Sequence, residues 1–394
     1  MGYLMEIRKL TGKERFDASV ISHVAFHMRM EDPEKIREWS EKQTVDDWGA
    51  FDEDGRLMAH IINHRFESNL DGSVVRNGGV GGVSTLPEYR NSGAVRAIFK
   101  ELLPEAYRNG EVISTLYPFN HAFYRKFGYE TICLKDVYEF APSVLKEYRF
   151  DGTARQWRSG DSLEAYLQLY RRFAGEYNLS IYRSEEQFRK AHFEGEALKD
   201  RKFAYLLSEN GQAVAYVIFQ DVRHDPAAIL KVEDIAWAGR SGFHGVLGFL
   251  ARFTADYGTV VLPLPCGMEL YTMIHSPDAY GISKHTNQNY MIRAVNAQQL
   301  LKAMRKPPQA AFTVEVADDL IPENNGVWAV SGETAAKTDA APDLSVDIRS
   351  LGQLAAGGIS LREAEYREDV TVHGNRDTLE KVFVRKPILV QDHF

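Results

Sequence analysis

One order of elements occurs twice along this chain, and it restricts the fold more than any single motif does. In the first copy Asp54-Gly55 supplies a hairpin turn between apolar segments. Residues 74–83 then read as a strand, 91–108 as a helix and 112–116 as a short buried strand. The helix is read from Val95, Ile98, Phe99 and Leu102, whose i, i+3, i+4, i+7 spacing puts them on one face. In the second copy Asn210-Gly211 turns between strands within 203–220, and 229–236, 245–254 and 259–264 read as strand, helix and strand. Val80 to Val112 spans 32 positions and Val232 to Val260 spans 28. The repetition predicts a duplicated unit in an α/β (α+β) layered fold, one copy keeping its chemistry and the other only its core.

Further elements frame these copies. Residues 119–127 read as a short helix stopped by Gly128, and 129–140 as one strand. Beyond Ser283 the character changes. Residues 297–304 read as a helix halted by Lys306-Pro307-Pro308, and 312–316 and 327–330 as strands. Residues 334–342 are small and polar, a mobile hairpin tip. The chain closes with an apolar strand, 387–390, and an aromatic last residue. The expected domains are 1–145, 146–285 and 286–394.

Composition narrows the function classes. Two cysteines in 394 residues, Cys133 and Cys266, lie far apart in sequence and make neither a disulfide framework nor a cysteine-ligated zinc site. Cys133 reads as a buried apolar residue. No apolar run approaches the roughly 20 residues of a membrane helix, and the N-terminus has no signal-peptide core. Met1-Gly2 is not a myristoylation signal, because Glu6 stands where Ser or Thr is needed. These features predict a cytoplasmic protein without a membrane partner. A formal net charge of −8 argues against a nucleic-acid partner and suits a cationic ligand. Residues 31–54 carry ten acidic and three basic residues, net −7, a solvated helix opened by Asp32-Pro33 or an acidic rim that steers a cation. His60 and His64 share a strand face but find no third ligand, so no metal is expected. No G-x-S-x-G elbow occurs.

The chemistry is carried by residues 80–97, VGGVSTLPEYRNSGAVRA. A strand ends at Val83-Ser84-Thr85, Pro87 cannot extend a ladder, and a turn from Arg90 to Gly93 opens a helix. Free amides at a helix start, glycine for close approach, and Arg90 and Arg96 nearby make an anion cradle. It has neither the Walker spacing nor G-x-G-x-x-G.

The pattern V-x-x-V-x-x-x-P-x-x-R-x-x-G-x-x-R resembles the acetyl-CoA motif of the GNAT N-acetyltransferases. YPFNHAFYRKFGYE, residues 117–130, resembles a second signature found in the Eis family of GNAT proteins. That family joins a GNAT domain, a degenerate GNAT domain and a domain like sterol carrier protein. The likeness implies that Val83, Ser84 and Thr85 pair with pantetheine. It places the diphosphate over Arg90, Asn91, Ser92, Gly93, Ala94, Val95 and Arg96, with further cofactor contact at Phe119 and Asn120. It implies Tyr124 as general acid and the α-carboxylate of Phe394 as general base. Phe26 and Trp39 are candidates for the amine pocket. Members often carry an acid just before the terminal Phe; here His393 stands there, with Asp392 before it. The implied reaction transfers acetyl from acetyl-CoA to primary amines of polycationic small molecules, aminoglycosides above all, in a homohexamer. Lysine acetylation is a related reading. A lipid-binding carrier with vestigial motifs is the alternative.

These residue types suit that reaction. Acetyl transfer to an amine passes through an oxyanion and expels a thiolate. A backbone amide at the end of the strand, that of Val83, can hold the oxyanion, a contribution typically worth ~3 kcal/mol. A tyrosine, with pKa about 10, stays protonated and can protonate the thiolate. A terminal carboxylate, with pKa about 3.5, is a weak base unless desolvation raises it.

Overall fold

The computed structural model describes residues 5–30, 32–42, 45–193, 201–223, 228–274 and 281–394. The acidic stretch 31–54 therefore lies partly outside the described residues. Three mixed sheets carry helices on their faces. The first is seven-stranded, with spatial order Glu6–Lys9, Asp46–Phe51, Leu57–Leu70, Ser73–Thr85, Ile113–Leu116, Tyr290–Ala294 and Glu130–Ile132. Its parallel pair, Ser73–Thr85 with Ile113–Leu116, is bridged by the helix Ala94–Arg108. That helix forms because Ile98, Phe99, Leu102, Leu103 and Ala106 bury one stripe against the sheet, where Phe99 stacks on Phe127 at 4.2 Å.

The second sheet repeats the plan. Its order is Ile282–Asn287, Lys135–Phe140, Thr259–Leu264, Ala228–Trp237, Gln212–Arg223, Lys202–Glu209 and Thr153–Gln156. Ala228–Trp237 and Thr259–Leu264 are its parallel pair, bridged by the helix Gly239–Ala251.

The two sheets exchange a strand. Residues 129–140, read from sequence as one strand, break at Cys133-Leu134. Glu130–Ile132 stays in the first sheet, while Lys135–Phe140 crosses to the second and pairs there with Thr259–Leu264 and Ile282–Asn287. In return Tyr290–Ala294 inserts between Ile113–Leu116 and Glu130–Ile132. Apolar alternation specifies a strand and its faces, not the sheet it joins.

The third sheet, Thr334–Lys337, Gly326–Ser331, Ala311–Ala317, Leu344–Asp347 and Val370–Val372, closes the chain. Thr334–Lys337, expected as part of a mobile tip, is an edge strand paired with Trp328–Ser331. The helix Ile348–Ala356 lies so close to the first sheet that a Cβ on Gly352 would come within 3.0 Å of the Ala294 nitrogen.

The last eight residues form an extended thread with one isolated bridge, Asn178 to Ile388, instead of a regular strand. Ile388, Leu389 and Val390 are buried. The Val390 amide donates to Leu134 O at 2.9 Å, and the Cys266 amide donates to Ile388 O at 2.9 Å. Cys133 and Cys266, remote in sequence, therefore meet beneath this thread as free thiols. Both are half-buried.

Candidate active site

The parallel pair of the first sheet is in register from Asn77–Ile113 to Val80–Leu116 and then parts. Ser73–Thr85 runs on alone, its outer edge open from Gly81 onward. On the other side, His60 pairs with Ser84 and Ile62 with Gly81, so one extra residue is accommodated there as a bulge. Gly82, at φ +59°, makes that bulge possible. The bulge turns Val83, Ser84 and Thr85 toward a cavity of about 820 Å³.

The far wall of this cavity is the turn into the helix Ala94–Arg108. Asn91 (φ +65°) and Gly93 (φ +90°) are left-handed, which reverses the chain and aims successive amides inward. Ser92 Oγ accepts from the Ala94 amide at 3.3 Å. The amides of Asn91, Gly93, Val95 and Arg96 have no acceptor among the described residues. The side chains of Arg90, Arg96 and Lys126 line the same cavity, and none pairs with a carboxylate among the described residues. Four free amides and three uncommitted cations fit a diphosphate.

Eleven of the twelve residues expected to hold the cofactor, all but Asn120, lie on the cavity wall. Asn120 instead caps the helix His121–Arg125, its Oδ1 accepting from the Phe123 amide at 3.0 Å. Phe26 lines this cavity and is 48% exposed. Trp39, 60% exposed on the helix Pro33–Lys42, is not among its walls.

Tyr124 sits in that short helix within an aromatic cluster. Phe123, Phe119, Tyr129 and Phe99 surround its ring at 5.1, 5.3, 6.3 and 6.4 Å. Burial pushes its phenol well above the ordinary value, so it is a proton donor at any physiological pH. Its hydroxyl has no partner among the described residues, whereas both neighbouring tyrosines are engaged. Tyr117 donates to the carbonyl of Asp392, and Tyr129 shares a 2.7 Å hydrogen bond with Ser114.

The chain end folds inward onto the same strand. The Phe394 ring lies 4.9 Å from Phe66, 5.5 Å from Tyr117 and 5.8 Å from His64, centroid to centroid. A Cβ on Gly79 would lie 2.9 Å from the Phe394 ring, and one on Gly81 would lie 3.6 Å from its carboxyl carbon. The glycines at 79 and 81 thus clear the face on which the terminus rests, two residues before Val83. Burial keeps His64 below its ordinary pKa and hence neutral.

Sequence reasoning missed one arrangement. His60 Nδ1 lies 3.0 Å from Asp47 Oδ1, and its Nε2 lies 2.8 Å from Ser22 Oγ. Ser22 Oγ in turn is 3.4 Å from Ser84 Oγ. Side chains of His60 and Asp47 are only 2% and 4% exposed. A carboxylate oxygen accepts, so Nδ1 donates to Asp47, and Nε2 shares the second hydrogen bond with the Ser22 hydroxyl. The Asp47–His60–Ser22 chain straps the helix Glu14–Ala25 to the strands Asp46–Phe51 and Leu57–Leu70, beside the bulge. It also removes Asp47 from any acidic rim, as Arg65 and Lys9 do for Asp46 and Tyr89 does for Asp52.

Residues 6–132 match the GNAT acetyltransferase domain, and residues 295–390 match the sterol carrier protein domain. No curated protein sequence matches the chain. Three solved structures share its architecture over 99% of this chain and 100% of their own. A conserved protein from Enterococcus faecalis, described as a probable N-acyltransferase, has TM-score 0.86 at 20% identity. A GCN5-related N-acetyltransferase from Anabaena variabilis has 0.84 at 19%. Eis1 from Mycobacterium abscessus has 0.83 at 20%. At these identities the likeness establishes the fold. The described helices include none long and apolar enough to cross a membrane.

Proposed function

We propose that this chain, whose residues 6–132 match the GNAT acetyltransferase domain and whose residues 295–390 match the sterol carrier protein domain, moves acetyl from acetyl-CoA to a primary amine of a cationic small molecule, aminoglycosides being the class tested first. The observation that carries this reading is the inward path of the C-terminal thread, which brings the Phe394 main chain against Gly81, where the outer edge of the strand opens.

Each group then has one task. The amides of Asn91, Gly93, Val95 and Arg96, with Arg90, Arg96 and Lys126, hold the diphosphate of the cosubstrate. The open edge from Val83 to Thr85 offers backbone to its pantetheine, and the Val83 amide faces the developing oxyanion. Tyr124, kept protonated by burial, returns a proton to the leaving sulfur. The Phe394 carboxylate, anchored by its ring against Phe66 and Tyr117, receives the proton of the amine. Net charge supports a cationic acceptor, since −8 over the chain raises the local concentration of polycations. The substrate reading includes no nucleic acid and no membrane, and the assembly reading is a homohexamer.

The test is thiol release from acetyl-CoA with a panel of aminoglycosides and lysine peptides, on the native chain and on one extended by Gly-Ser after Phe394. Amine-dependent release is expected from the native chain and its collapse from the extended one. No release with any amine rejects the activity, and full kcat/KM in the extended chain rejects the base.

A further inference from the structure

The central copy of the fold retains the splayed cleft of the first copy and fills it with protein. Its parallel pair is in register from Ile229–Thr259 to Lys231–Val261 and then parts, as the first pair does after Val80–Leu116. Counting three and four residues beyond each last pair makes Asp234 the equivalent of Val83 and Ile235 the equivalent of Ser84. Both copies carry a bulge in this interval, since Phe219 faces Val232 while Ile218 faces Asp234. Yet the central helix Gly239–Ala251 follows its strand after Ala238 alone, so the connection from Leu86 to Gly93 in the first copy has no counterpart.

The cleft is occupied by the C-terminal thread. The side-chain amide of Gln391 acts as a strand partner, Oε1 accepting from the Ile235 amide at 3.1 Å and Nε2 donating to Ile235 O at 3.0 Å. The next residue is fixed by charge. Arg183 Nε donates to Asp392 Oδ1 at 2.6 Å, and its Nη1 donates to Asp234 Oδ2 at 2.5 Å. Tyr170 adds a donor to Asp392 Oδ2 at 3.2 Å, and its ring lies 4.0 Å beneath the guanidinium. Asp234 is held in addition by Tyr216 at 2.6 Å and His192 at 3.0 Å. The Arg183 side chain is 2% exposed and that of Asp234 0%. Tyr117, just past the first-sheet strand Ile113–Leu116, donates to the Asp392 carbonyl.

We propose that the central copy serves as a receptor for the chain's own C-terminus, and that Asp392, gripped by Arg183 in the cleft, is a positioning residue for the Phe394 carboxylate. Two residues separate the grip from the carboxylate, too few for a flexible chain to relax an error before it reaches the amine. In the central copy Asp234 and Arg183 stand in the cleft and hold the thread there. This inference rests on the base assignment made above.

A coupling experiment separates the two ideas. Asp392→Asn removes the tail's charge while leaving Arg183 paired with Asp234, so no buried charge is orphaned. It is measured in the native chain and in the chain extended by Gly-Ser, with circular dichroism as the control on folding. Gln391→Ala, which removes two hydrogen bonds and no charge, repeats the test should Asp392→Asn fail to fold. A positioning role predicts that kcat falls on the order of tenfold in the native chain while KM for acetyl-CoA holds, and that the extended chain shows no further loss. An undiminished kcat for the folded variant overturns the role, as does a loss that multiplies on top of the extension. If the extension alone leaves kcat whole, the base assignment falls and the positioning role with it.

Discussion

Glu111 gives the sharpest quantitative test of how this fold is held together. It follows the helix Ala94–Arg108 and is 5% exposed, facing Asn63 at 4%. Asn63 Nδ2 donates to Glu111 Oε1 at 2.9 Å, while Glu111 Oε2 and Asn63 Oδ1 have no partner. The two orphaned oxygens lie side by side, since a Cβ on Gly78 would be 2.1 Å from one and 2.7 Å from the other. One proton on Oε2 satisfies both and closes a cyclic acid–amide pair. Burial first, opposed by the Asn63 hydrogen bond, raises the carboxyl from 4.5 to about 7. A raised folded value means the stabilisation is complete below pH about 4.5 and is lost as pH climbs through about 7. At about 1.4 kcal/mol per pH unit, the loss above pH 8 is on the order of 3 kcal/mol. Glu111→Gln supplies a permanent donor in the same shape. Urea unfolding followed by tryptophan fluorescence should find the variant ~3 kcal/mol more stable than the native chain at pH 9 and within about 1 kcal/mol at pH 5. Equal gains at both pH values, or none at pH 9, would refute the protonated pair.

Three substitutions probe the site. Tyr124→Phe should lower kcat by about 10²–10⁴-fold with the fold unchanged by circular dichroism, since an acid catalyst is worth that much. Gly79→Ala places a Cβ 2.3 Å from the Phe66 ring and 2.9 Å from that of Phe394. Steady-state kinetics should record a kcat loss on the order of 10²-fold with KM for acetyl-CoA retained, and an unchanged kcat contradicts an inward terminus. Gly93→Ala meets no atom within 4 Å, so its cost is the left-handed backbone, about 1–2 kcal/mol, and a disturbed cradle. Calorimetric titration should show weaker CoA binding, and unaltered binding would remove the turn from the cofactor site.

The strand–turn–helix of the first copy was legible in sequence because every signal in it is local. Strand patterning up to Val83, Pro87 after it, Gly93 at the turn and the stripe of Ile98, Phe99 and Leu102 all act within a few residues. Tyr124 and Phe394 were reachable through resemblance alone; nothing local distinguishes Tyr124 from Tyr117 or Tyr129. The structure separates them by hydrogen bonding, which depends on Ser114 and Asp392. Contacts across long sequence separations left no pattern to read. His60 finds Asp47 on a neighbouring strand but Ser22 on a helix packed over the sheet. Arg183 and Asp392 are 209 positions apart. The exchange of Lys135–Phe140 for Tyr290–Ala294 was invisible for the same reason, as each strand is apolar enough for either sheet.

That exchange also bears on how a carboxylate of intrinsically low basicity can take a proton from an amine. A terminal carboxylate with pKa near 3.5 becomes a stronger base only where water and cations are kept from it. Around the half-buried Phe394 stand the rings of Phe66 and Tyr117, the backbone at Gly79 and Gly81, and a His64 that burial holds neutral, none of which brings a positive charge. Arg183, which grips the thread, has its charge paired with Asp234 and Asp392. The arrangement requires the first sheet, which supplies the glycine face, and the second, which supplies the grip, to keep a fixed separation. Two strands traded between them impose that separation, because neither sheet can shift without breaking a ladder in the other.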